Sequence, residues 1–137
     1  MQAISPPTAV GDRYMSKSAA PPATDWAGSV RTYARVWGFP IAIMVAGLLV
    51  DVPARTAMWT LALAWKGTAC LLNAHRCGRT HCRFTGPFYF AMILPVLALG
   101  SGMVSAGFYG WVALGAVIIV GSKLIWWVTE RKWGKFS

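Results

Sequence analysis

Charge is distributed along this chain in blocks, and the blocks decide what it can fold into. Four long apolar stretches, approximately 33–50, 57–74, 87–104 and 108–128, are separated and flanked by short polar segments. A helix crossing a hydrocarbon core of about 30 Å needs about 20 residues, with a range of roughly 17–25. Each stretch meets that requirement, the first only marginally. A soluble domain of this size needs polar side chains over its whole surface, because small domains have much surface for their volume. Charged residues make up only 12% of the chain, where soluble globular proteins have about 25%. The expected fold is all-α, a polytopic four-transmembrane-helix bundle over residues 31–137.

Local signals bound the spans. Asp51-Val52-Pro53 ends the first, since Pro breaks helices and Asp is costly in lipid. Thr85-Gly86-Pro87 is expected to start the third, with a capping hydroxyl and Pro in the first turn. Pro95 should kink that span, and Gly100, Gly102, Ala106, Gly107 and Gly110 suit a tight final hairpin. Residues 1–30 have no apolar core of a signal peptide, so none is expected. Their Pro, Ser, Ala and Thr content predicts disorder, and Met15 offers a second start as plausible as Met1.

Orientation follows from Lys and Arg in the short connections. Arg13, Lys17, Arg31 and Arg35 precede or open the first span; Arg76, Arg79 and Arg83 lie between the second and third; Arg131, Lys132 and Lys135 follow the fourth. An even number of spans puts all three groups on one side, predicting cytoplasmic N and C termini in a bacterial inner membrane. Only Arg55, beside Asp51, is placed opposite. Tyr33, Trp37, Phe88, Tyr89, Trp126 and Trp127 are expected in the inner aromatic belt, and Trp59, Phe108, Tyr109 and Trp111 in the outer one. The net charge of +9 sits at the edges of apolar runs, which favours anionic lipid headgroups over nucleic acid as partner.

All three cysteines and both histidines fall between Cys70 and Cys82, in the pattern C-x4-H-x-C-x3-H-C. Thiolate and imidazole are ligands of soft and borderline metals. Cys70, His75, Cys77, His81 and Cys82 are therefore the candidate metal ligands, for zinc, copper or mercury. Arg76, Arg79 and Arg83 favour thiolates there, and a cytoplasmic face disfavours a disulfide. Gly78 is expected to turn with positive φ and to carry Cys77 towards Cys82. The bland alternative is an inert buried Cys70 and two interfacial histidines that bind lipid phosphate.

Lys66 lies near the middle of the second span, where an uncompensated charge costs about 2.5–3.5 kcal/mol on insertion scales. Lys66, Cys70 and Asn73 share one helix face with Trp59 and Ala62. That stripe reads as an intramembrane polar path or an anion contact facing the bundle interior. The plainer reading pairs Lys66 with Asp51 or lets it snorkel, as Lys123 is expected to do.

The stretch from Trp65 to Tyr89, with Asn73-Ala74, Arg76-Cys77-Gly78-Arg79, His81-Cys82 and Thr85-Gly86-Pro87, resembles small bacterial integral membrane proteins without an assigned activity. It is more loosely similar to small mercuric-ion uptake proteins, a resemblance that would give Cys77 and Cys82 the role of their inner cysteine pair. Those proteins also carry an adjacent cysteine pair in the first span, which this chain lacks.

Two functions from different classes follow. One is binding or transfer of a soft metal ion at the cytoplasmic face. The other is a non-catalytic accessory or structural subunit, in a homo-oligomer or a larger membrane complex, since small residues suit helix packing. No enzyme is expected: the four acids Asp12, Asp25, Asp51 and Glu130 include no pair spaced for acid–base work, and no phosphate loop or nucleophile elbow is present.

Overall fold

The computed structural model describes Trp26 and residues 28–134. The disorder expected of residues 1–30 falls almost entirely outside them. Among the described residues the chain is all-helical, with no β-strand. A first helical run comprises α1 (Val30–Tyr33), a π segment (Ala34–Gly38) and α2 (Phe39–Gly47). It is followed by α3 (Val52–Cys77), α4 (Thr80–Ala91), α5 (Ile93–Gly100) and α6 (Gly107–Trp133). Two helical stretches are long and apolar enough to cross a membrane: Thr80–Gly100, which joins α4 and α5, and Gly107–Trp133.

The α2–α3 connection is fastened from both sides. Asp51 caps α3 by accepting from the Ala54 backbone N–H at 3.4 Å. Pro53 sits in the first turn, where no intrahelical N–H is needed. Arg55 reaches back to the end of α2: its Nε donates to the Gly47 carbonyl at 3.1 Å, and its Nη2 to those of Leu48 and Val50 at 3.2 and 2.8 Å. The last carbonyls of a helix lack intrahelical donors, and a cation also suits the negative end of its dipole. The guanidinium lies over Trp111 and Phe108, 5.4 and 5.9 Å from their ring centroids.

At the other end, α3 stops at Gly78, whose φ of 66° lies in the left-handed region as the sequence predicts. Only Gly78 and Arg79 separate α3 from α4. The third helix therefore begins at Thr80, not at Thr85-Gly86-Pro87, and Pro87 lies inside it. Thr85 is not a cap; its hydroxyl donates to the His81 carbonyl one turn back. The helix is interrupted at Met92, between α4 and α5, three residues before Pro95. Proline cannot donate to the carbonyl four residues before it, here that of Ala91.

Helices α3 and α4 approach closely because of glycine: a Cβ on Gly86 would lie 2.7 Å from Leu71, and one on Gly67 2.8 Å from Phe90. The final connection uses Gly102 and Gly107 at positive φ, while Gly100 packs against Thr56 of α3. Trp59 and Trp111 are not belt residues. Both are buried, edge to face at 5.2 Å, and Trp59 Nε1 donates to the Met44 carbonyl at 2.8 Å. Trp37 and Tyr89 are likewise buried. An indole in the core finds its acceptor in protein rather than at a wet interface.

Candidate functional site

The inward stripe of α3 is present as its spacing predicts: Trp59, Ala62, Lys66, Cys70 and Asn73 are all buried. Lys66 is 5% exposed, and its ammonium lies 4.4 Å from the centroid of the Tyr89 ring. It does not pair with Asp51, which caps the same helix fifteen residues earlier, about 22 Å along the axis at roughly 1.5 Å per residue. Among the described residues no carboxylate lies within ion-pair distance of Lys66. Asn73 is fully buried; its Oδ1 accepts from the Trp26 backbone N–H at 3.0 Å, and its Nδ2 lies 3.7 Å from Cys82 Sγ.

Lys66 opens into a cavity of about 310 Å³. The first helical run supplies Tyr33, Trp37 and Ile41; α3 supplies Lys66 and Cys70; the turn and α4 supply Arg79, His81, Thr85 and Tyr89; α6 supplies Ile119, Ser122, Lys123 and Trp126. Lys123, expected to snorkel, is exposed at the mouth and stacks 5.2 Å from the Trp126 centroid. Lys66 and Lys123, from different helices, are near enough to repel. The one acid nearby, Glu130, is committed elsewhere. Its Oε1 lies 2.8 Å from His81 Nδ1 and 3.6 Å from Arg79 Nε. Glu130 thus offsets charge on the turn and on α4; the described residues that line the space with the two lysines include the Cys70 thiol but no carboxylate.

The five candidate metal ligands do not converge. The described residues contain no group of three or more His, Cys, Asp or Glu placed to hold a metal ion. Because α3 remains helical to Cys77, His75 stands about 140° round the helix from Cys70, at roughly 100° per residue. It is exposed. Cys77 Sγ donates to the Asn73 carbonyl at 2.9 Å. The structure does bring Cys70 beside Cys82, both buried, and His81 Nε2 to 3.4 Å from Cys82 Sγ. Among the described residues no disulfide joins the three cysteines.

Sequence reasoning missed Arg79 and Glu130 as a site pair, 51 residues apart, one in the α3–α4 turn and one on α6. It also missed Trp26, whose ring lies 4.9 Å from the Arg76 guanidinium. A lone Trp in a Pro- and Ser-rich segment was the available signal. No family model, curated protein or solved structure matches this chain.

Proposed function

We propose that this chain is a four-span protein of the bacterial inner membrane, with both termini cytoplasmic, that binds a small organic anion within its bundle. The observation that carries the reading is the pair Lys66 and Lys123, which face one cavity with no carboxylate among its described lining residues. Like charges in a medium of low dielectric repel strongly, and a buried cation is retained where it has a partner. An anion between the two ammonium groups supplies that partner. Tyr89, Trp37 and Trp126 give the space aromatic walls, as small-molecule sites have. No catalytic step belongs to this reading.

Four spans are supported by helix length and by where the polar residues point. At 26 residues, α3 is about 39 Å long at roughly 1.5 Å per residue, enough to cross. Its hydropathy is lowered by Arg55, Lys66 and Asn73, all turned inward. The outward faces of every helix carry exposed apolar side chains, among them Phe39, Val45, Leu61, Leu94, Ile119 and Val120. The basic clusters supply the orientation.

The test is a titration of purified protein, in nanodiscs of neutral lipid, with short organic carboxylates. Lys66→Met and Lys123→Met should each weaken binding about tenfold, or 1.4 kcal/mol. Affinity unchanged in both variants would sink the reading. For topology, a C-terminal green fluorescent protein fusion should fluoresce and an alkaline phosphatase fusion should be inactive.

A second reading, a soft-metal site, is favoured by the contact of Cys70 with Cys82 and of Cys82 with His81. Two thiolates suit copper(I) or mercuric ion, and Lys66 would offset the negative charge of a dithiolate–copper(I) complex. Under this reading Cys70→Ser and Cys82→Ser abolish copper(I) binding, whereas His75→Ala and Cys77→Ser leave it intact. The reverse pattern would dismiss it.

A further inference from the structure

The cavity is open along one side. The first helical run packs on α3, and α6 packs on α4 and α5; both the first run and α6 contribute exposed side chains to the lip of the cavity. The gap between them has Tyr33 and Ile41 on one edge and Ile119, Lys123 and Trp126 on the other, all of them exposed. Position along the helices sorts these residues. Tyr33, Lys123 and Trp126 lie towards the end of the bundle that holds Arg79 and Glu130, while Ile41 and Ile119 lie nearer its middle. The opening is therefore aromatic and cationic at one end and aliphatic at the other.

We infer that the ligand is a single-chain amphiphile with an anionic headgroup, which enters sideways from the inner leaflet through this gap. The inference rests on the anion reading above and deepens it. The headgroup lies between Lys66 and Lys123, where the uncompensated positive charge is. The hydrocarbon tail runs along the gap past Ile41 and Ile119. A space of about 310 Å³ is at the small end of the roughly 300–1,000 Å³ range for ligand sites. It holds a headgroup and the first carbons of a chain, and the rest must lie where the wall is absent. A water-soluble anion has no use for a lateral, apolar-edged opening. An amphiphile already in the leaflet meets the charged end at headgroup depth and the aliphatic end at tail depth. A carboxylate head points to a free fatty acid and a phosphate head to a lysophospholipid; the cationic floor suits both.

The experiment measures binding to the full chain in phosphatidylcholine nanodiscs, by native mass spectrometry. The probes are dodecanoate, dodecyl phosphate, dodecanol and butyrate. Dodecanoate or dodecyl phosphate should bind at one per chain, the tighter of the two identifying the source, and dodecanol should not. Lys66→Met should cut that binding about tenfold or more, and Lys123→Met, at an exposed position, repeats the test without disturbing the core. The double variant Ile41→Trp/Ile119→Trp changes only exposed side chains. It should cut dodecanoate binding about tenfold and butyrate binding by a smaller factor. Butyrate binding as tightly as dodecanoate, with the double variant without effect, would overturn lateral entry and leave the anion reading standing. Dodecanol binding equal to dodecanoate, or no probe binding at all, would overturn both.

Discussion

Helix α3 buries two cations on its inward face, one near its start and one near its middle, and they are treated in opposite ways. Arg55 is held by backbone. Three carbonyls at the end of the preceding helix and connection accept its N–H groups, and two aromatic rings lie against it. Lys66, three turns along, has a ring face and a second cation but no carboxylate. Both are nine-tenths buried or more. A buried charge bonded to three backbone carbonyls holds structure together, whereas one that looks into an open space is available for a ligand. Side-chain chemistry fits the division: the guanidinium forks to several acceptors at once, and the ammonium is a compact point charge on a flexible stem.

Four substitutions break or sharpen that contrast. Arg55→Met should have the largest effect on stability, about 3 kcal/mol or more, because three carbonyls lose charge-assisted partners in a dry setting. Its thermal unfolding in detergent should shift sharply downward, while anion affinity measured below that transition stays within about twofold. Lys66→Met should do the reverse, removing about tenfold or more of the affinity with unfolding unchanged or raised, since replacing an unpaired buried charge by an apolar side chain relieves desolvation. Equal destabilisation by both would erase the distinction. Glu130→Gln is a subtler probe. Without its carboxylate the turn and α4 gain net positive charge, so anion affinity should rise about two- to fivefold and respond more steeply to salt. A fall in affinity would mean that Glu130 serves the site by holding Arg79 and His81 in place. Cys77→Ser should change least, within about 0.5 kcal/mol, since a hydroxyl can also donate to the Asn73 carbonyl.

The polar stripe of α3 was legible because its signal is local: Trp59, Ala62, Lys66, Cys70 and Asn73 repeat at helical spacing, and only a helix puts them on one face. Gly78 was legible for the same reason, a residue type matched to one backbone conformation. The Cys/His segment reads as a longer connection than it is, because α3 and α4 run into it from both sides. Once Thr80 starts a helix, His75 and Cys77 belong to one rod, and His81 and Cys82 to another. Pro87 concealed this. It reads as a first-turn residue, yet at a site where α4 faces no rigid partner on that side it is accommodated mid-helix and exposed. The Arg55 clamp and the Glu130 bridge depend on groups from other elements, one of them backbone carbonyl, and no spacing rule exposes such partners.

The π segment at Ala34–Gly38 has a geometric effect on the lip of the cavity. In a regular α-helix, residues four apart drift by about 40° at each step, because 3.6 residues complete a turn. Tyr33, Trp37 and Ile41 would then spiral away from a common line. The wider winding between Tyr33 and Trp37 turns each residue through less angle and works against that drift, and the two rings stack at 5.3 Å. All three side chains reach the same cavity. The first helical run thereby presents a straight rail of three residues in place of a screw thread, running from the charged end of the bundle to its middle.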